Sequence, residues 1–186
     1  MNGLSDEELM GRVGEGDHAA YAVLVDRHLG RCVRVAQRML GSRHDAEEVA
    51  QEAFLRVWKQ APKWRHDGAK LTTWLYRVVV NLGIDRKRRP AEPSLAVVGD
   101  PPDPSVGIAE AAIRDDQSRQ VARAVADLPE SQRAALVLCY YEEMSNAEAA
   151  AVMGVSVKAV ESLLVRARRT LRAHVAPLIE EVESIR

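Results

Sequence analysis

The chain has 186 residues, of which 47% are apolar and only 4% aromatic, and it carries a formal net charge of −1. That composition favours helix on helix over aromatic-bearing strands and is long enough for two small domains. The opening residues MNGLSDEELM hold acids and no apolar leader, and no later stretch nears the roughly 18 uninterrupted apolar residues of a membrane span. A cytoplasmic protein without membrane insertion is therefore expected. Cys32 and Cys139 lie too far apart for a Cys-x-x-Cys metal site, suggest no disulfide framework, and are expected as small core residues.

The near-zero net charge hides a pattern. Residues 61–90 carry eight Lys/Arg against two Asp/Glu and residues 156–176 five against one, whereas 91–155 carries four against eleven. Two basic blocks around an acidic middle suit two contacts with a polyanion, although solvated helix faces give the same counts.

In chain order, Ser5 with Glu8 has the capping-box spacing and predicts a short helix packing Leu9, Met10 and Val13, broken at Gly14 and Gly16. Asp17 caps a second helix, ended by Gly41, whose stripe is Tyr21, Leu24, Val25, Cys32, Val35, Ala36, Met39 and Leu40. A third runs from Ser42 to about Gln60, with Ala46, Val49, Ala50, Ala53, Phe54, Val57 and Trp58 inward and Asp45, Glu48, Glu52 and Lys59 outward. Pro62 closes it. Residues 63–71 lack helical period and form a loop into a fourth helix near Thr72, which ends in the basic run DRKRR.

Residues 90–107 hold five of the eight prolines and read as a linker. Helical period resumes near Ile108, passes Ile113, Val121, Val125 and Leu128, and restarts at Pro129 for a helix to about Glu142. Residues 145–172 then read as a helix-turn-helix. Ser145 caps a short helix, Gly154 allows a tight turn, and Ser156 caps a second helix. Ala149 and Ala150 permit close crossing, and Met153, Val155, Val160 and Leu163 are expected inside. Ser156, Val157, Lys158, Glu161 and Ser162 face outward toward base edges, followed by Arg166, Arg168, Arg169 and Arg172 along phosphates.

Taken in order, DAEEVAQEAFLRVWKQ, KLTTWLYRVVVNLGIDRKRR, LPESQRAALVL and the helix-turn-helix resemble the bacterial extracytoplasmic-function (ECF) RNA polymerase sigma factors across roughly residues 5–175. The resemblance implies an all-α protein with no catalytic group, metal or other cofactor, and two helical domains joined by the Pro-rich linker. Residues 1–89 would bind core polymerase and open the −10 promoter element. Residues 108–176 would read the −35 element, leaving 177–186 as a tail. In the family, Asp45, Glu48, Gln51 and Glu52 correspond to the surface that docks on the clamp helices of the polymerase's largest subunit. The loop with Trp64, Arg65, His66, Asp67 and Lys70 corresponds to the segment that captures a flipped base, and Arg77, Arg86, Lys87, Arg88 and Arg89 would bind phosphates of the parted strands. Trp64 is equally a core anchor by its residue type, and the linker equally a plain tether or a strand threading the RNA exit path.

Implied partners are core RNA polymerase at clamp and flap, promoter DNA both duplex and single-stranded, and an anti-sigma factor. The free chain is expected to be monomeric. Two rivals stand against this. His44-Asp45, with His28 and Asp85, has the look of a metal-dependent phosphohydrolase dyad, yet it opens a helix where Asp is electrostatically favoured. A helix-turn-helix repressor would read symmetric half-sites as a dimer, whereas the two basic blocks here lie in unlike segments.

Overall fold

The computed structural model describes residues 3–65, 70–88 and 120–184, with side chains to residue 174. His66, Asp67, Arg89, the linker at 90–107 and the expected helical positions Ile108 and Ile113 lie outside the described residues. The described residues are helical with no strand, as the composition requires.

The amino-terminal half holds α1 (Asp6–Gly14), α2 (His18–Leu40), α3 (Arg43–Gln60), a 3₁₀ turn at Ala61–Lys63 and α4 (Leu71–Arg88). Ser5 and Glu8 form the expected reciprocal cap of α1, and the Asp17 carboxylate accepts from the amides of Ala19 and Ala20 to start α2. Gly41, at φ 75°, turns the chain at the end of α2, and Ser42, the next residue, caps α3, so these helices form a tight hairpin. Between them Leu24, Cys32, Val35, Ala36, Ala46, Val49, Ala50, Ala53, Phe54 and Val57 are buried. The Tyr21 hydroxyl donates to the Phe54 carbonyl at 3.0 Å, and His18 stacks on Trp58. Helix α4 lies across the pair through Leu71, Leu75, Tyr76 and Val79.

The carboxy-terminal half holds a helix at residues 120–126 (α5), α6 (Glu130–Leu136), a π-helical turn at Val137–Tyr141, α7 (Asn146–Met153) and α8 (Val157–Ser184). The sequence predicts one regular helix from Pro129 to about Glu142. The π turn inserts an extra residue per turn, which leaves Val137 and Leu138 fully buried while Tyr140 and Tyr141 stand exposed. Helix α8 continues past 176 to Ser184, so most of the expected tail is helical backbone. A small cluster of Val125, Leu128, Leu136 and Ala167 joins α5, α6 and α8.

The two halves also meet. Ala134, Ala135, Val137, Leu138, Ala149, Ala150 and Val152 belong to the same apolar cluster as α1–α4, with α7 against α4 and the π turn against α2. Cys32 is wholly buried, and burial pushes its thiol pKa up to about 12. Cys139 departs from the expectation. It is half-buried, its sulfur 3.7 Å from the Asn146 side-chain oxygen.

Glycine 14 is where α1 touches the 3₁₀ turn, and a Cβ there would stand 2.8 Å from the Ala61 carbonyl oxygen. Gly14→Ala is expected to cost about 1–3 kcal/mol in urea unfolding, because backbone on both sides must yield. Gly30→Ala, in the interior of α2 where the nearest atom is the flexible Arg34 guanidinium at 3.5 Å, should instead gain about 0.5–1 kcal/mol.

Candidate nucleic-acid interface

Helix α7 is opened by a second capping box. The Ser145 hydroxyl accepts from the Glu148 amide at 3.2 Å, while the Glu148 carboxylate accepts from the Ser145 amide at 2.9 Å and its hydroxyl at 2.8 Å. Those bonds hold the Glu148 pKa below its usual 4.5. The box's contribution is therefore present above about pH 4.5 and lost as pH falls through the lowered value. Gly154, at φ 69°, supplies the left-handed turn, and the Ser156 hydroxyl accepts from the Ala159 amide at 3.2 Å to start α8.

The crossing of α7 and α8 buries Ala149, Ala150, Val152, Val160 and Leu164, and Ala167 one turn on is buried against α5 and α6. Three expectations need correction, the first being Met153, which is half-buried while Val152 beside it is buried. Val155 is 42% exposed, since the Gly154 turn lifts it out of the crossing. Leu164 is buried where Leu163 was expected to be, and Leu163 is half-buried, because Val160, Leu164 and Ala167 share one helical stripe. The opposite face of α8 is open: Ser156, Val157, Lys158, Glu161, Ser162, Arg166, Arg168, Arg169 and Arg172 are all exposed. Ser162 donates to the Lys158 carbonyl at 2.9 Å, and the Arg168 guanidinium lies 5.7 Å over the Tyr140 ring.

In the amino-terminal half, Trp64 is half-buried, packs edge-on to Trp74 at 5.7 Å and has its indole N–H turned inward. Of the two roles the sequence left open, this geometry favours the anchor. Arg65 and Lys70 are exposed on either side of the loop, and Arg88 is exposed at the end of α4. Other cations are engaged. Arg86 bridges Asp45 at 2.7 Å and also pairs with Glu48, so two of the expected outward acids are internally neutralised. Glu52 pairs with Arg56 at 2.9 Å, and Gln51 is exposed. His44 pairs with Glu48 at 3.3 Å and His28 with Asp6 at 2.8 Å, which commits the imagined metal dyad elsewhere. Among the described residues no three His, Cys, Asp or Glu side chains are grouped to hold a metal, and no helix is long and apolar enough to cross a membrane.

The order and geometry of these elements agree with known families. Residues 24–92 match Sigma-70 region 2 and residues 118–171 match Sigma-70 region 4. The chain is 32% identical to the RNA polymerase sigma-H factor of Pseudomonas aeruginosa, over 95% of this chain and 96% of that one. It is 30% identical to the ECF sigma factor SigW of Bacillus subtilis, over 90% and 95%. The chain belongs to the ECF RNA polymerase sigma factors. It is a promoter-specific transcription initiation factor. Among solved structures, CnrH in complex with the cytosolic domain of CnrY superposes with a TM-score of 0.67 at 31% identity, covering 92% of this chain and 97% of that one.

In this sigma factor the sequence reading missed the residues that tie region 2 to region 4. The Arg133 side chain is 1% exposed and donates to the Val125 carbonyl at 2.9 Å, Leu128 at 2.7 Å, Met39 at 2.5 Å, and Ala126. Its register gave a signal, for it precedes the buried Leu136 and Val137 by three and four positions and shares their face. The buried Glu142 carboxylate takes the Arg31 guanidinium at 2.5 Å and Arg38 at 3.6 Å. Two expected DNA contacts, both exposed, also bond to carbonyls of the other half. Arg77 donates to the carbonyls of Ala151 and Val152 at the end of α7, and Lys87 to the Ala126 carbonyl at 2.8 Å. Carbonyls at a helix carboxy-terminus lack intrahelical donors and attract cations.

Arg133→Ala should destabilise the chain by at least about 2 kcal/mol in chemical denaturation, since several carbonyls lose a charged donor at once. Arg133→Lys should recover only part, because one ammonium cannot reproduce a planar fork reaching carbonyls on different elements.

Proposed function

We propose that the chain, as a cytoplasmic factor without chemistry of its own, reads the −35 element with α8 and opens the −10 element with the amino-terminal half. The observation that carries this reading is the open face of α8. Lys158, Glu161 and Ser162 stand exposed at the amino-terminal end of a helix whose other face is closed by Val160, Leu164 and Ala167. Side chains at that end of a recognition helix enter the major groove, and Arg166, Arg168 and Arg169 further along rise toward phosphates. Ser156 and Val157 complete the entering edge.

Around the amino-terminal half, Trp64 anchors a loop from which Arg65, His66, Asp67 and Lys70 meet an unstacked base and its phosphates. Arg77 and the cluster Arg86, Lys87, Arg88 and Arg89 hold the parted strands. Asp45, Glu48, Gln51 and Glu52 form the polymerase clamp surface. Residues 90–107 tether the two modules, so that two small readers on one platform act at high effective concentration. The CnrH structure, with another protein's cytosolic domain bound, and the family likeness support an anti-sigma factor as a further partner.

Transcription from promoter libraries by core polymerase tests the reading. Lys158→Ala and Glu161→Ala should each cost about 1–3 kcal/mol on the preferred sequence and relax choice at one or two upstream positions. Arg168→Ala should weaken all sequences alike and reduce the salt slope by about one unit. Unchanged upstream preference in the first two variants would remove α8 from base reading.

A further inference from the structure

Among the described residues Val165 is the barest large apolar side chain, 61% exposed against 42% for Val155 and Val157. Single exposed apolar groups are common on protein surfaces, so its place decides. It stands on α8 seven residues after Lys158 and seven before Arg172, a spacing that keeps all three in one row of the open face. The side chains three and four positions away are Glu161, Ser162, Arg168 and Arg169, every one of them exposed. None of the four is apolar. Val157, by contrast, comes seven residues before the buried Leu164 and lies at the edge of the closed stripe. Local stability does not ask for valine at 165, since a β-branched residue is a poorer helix former than alanine at an exposed position.

We propose that Val165 is a specificity-determining residue, which selects an A·T pair in the −35 element by packing against the 5-methyl group of the thymine. This role rests on the reading of α8 as the −35 recognition helix and identifies one residue of its code. The thymine methyl is the apolar feature that base pairs present among the donors and acceptors of the major groove, and apolar side chains discriminate by touching it. Ser162, three residues back on the same face, narrows the choice. Its hydroxyl hydrogen is spent on the Lys158 carbonyl at 2.9 Å, which leaves only lone pairs to offer. A lone pair accepts from the amino group of adenine or of cytosine alike. Val165 breaks that tie, because the thymine opposite adenine carries a methyl and a G·C pair carries none. Valine in a helix holds one strongly preferred rotamer, so the contact costs it little side-chain freedom.

The test uses the full chain with core polymerase on the upstream sequence that the promoter library selects. Each thymine of that element, on either strand, is replaced in turn by deoxyuridine, which removes the methyl and leaves every hydrogen-bonding group in place. Anisotropy of the fluorescein-labelled duplex reads holoenzyme binding for the wild type, Val165→Ala and Lys158→Ala. Alanine is the better helix former at this exposed position, so Val165→Ala should melt no lower than the wild type.

Removing one buried methyl should weaken wild-type binding about fourfold at a thymine of the element, and Lys158→Ala should keep that penalty. Val165→Ala should bind the thymine promoter about fourfold more weakly than the wild type does and no longer tell thymine from uracil at that position. Absence of a uracil penalty at every thymine overturns the proposal. So does a penalty that persists in Val165→Ala, or an equal loss by that variant on the thymine and uracil promoters, which would put the side chain against something other than the methyl. Altered upstream preference in Lys158→Ala without any uracil penalty keeps α8 on the element and removes Val165 alone, whereas unchanged preference in both Lys158→Ala and Glu161→Ala removes the two together.

Discussion

One buried guanidinium sets the terms for the junction of the two regions. Arg133 lies where the ends of α2 and α5 converge, and its fork fills the gap between the Met39, Val125, Ala126 and Leu128 carbonyls near those helix ends. Burial lowers its pKa, yet a guanidinium stays charged at any pH the fold survives. Because the charge is answered by dipoles and not by a carboxylate, it costs no second buried ion. Packing of Ala134, Ala135 and Leu138 follows from this fixed point, and so does the position of the π turn that swings Glu142 toward α2.

The same chemistry recurs along the junction. Arg133, Arg77 and Lys87 all donate to carbonyls near the carboxy-terminal ends of helices. Such carbonyls and nucleic-acid phosphates are both acceptors rich in negative potential, and a basic helix serves either one. Exposed pairs such as Arg56 with Glu52 add little by comparison, being solvated on both sides.

Much of this was legible in the chain because local signals dominate helix ends. Ser5 with Glu8, Asp17, Gly41, Ser42, Ser145 with Glu148, and Gly154 each act through bonds within a few residues, and each stands where it was read. The open face of α8 followed from periodicity alone. What periodicity could not decide was a one-residue choice between Leu163 and Leu164, or that Val155 leaves the crossing. The bonding of Arg77 to the end of α7 and the pairing of the buried Glu142 with Arg31 are contacts between residues about 75 to 110 positions apart. No local pattern encodes those. The pairing of Asp45 and Glu48 with Arg86 spans about 40 positions and was hidden for the same reason.

That last pairing changes what the acidic face of α3 has to offer. Asp45 is only 24% exposed with Arg86 against it, so a visiting cation meets a site already satisfied and must evict the resident. Docking there becomes an exchange of one ion pair for another, with little net release of counterions. Its strength is then governed by how well the newcomer fits and by where the displaced guanidinium finds a new acceptor, while ionic strength matters less than the count of carboxylates suggests.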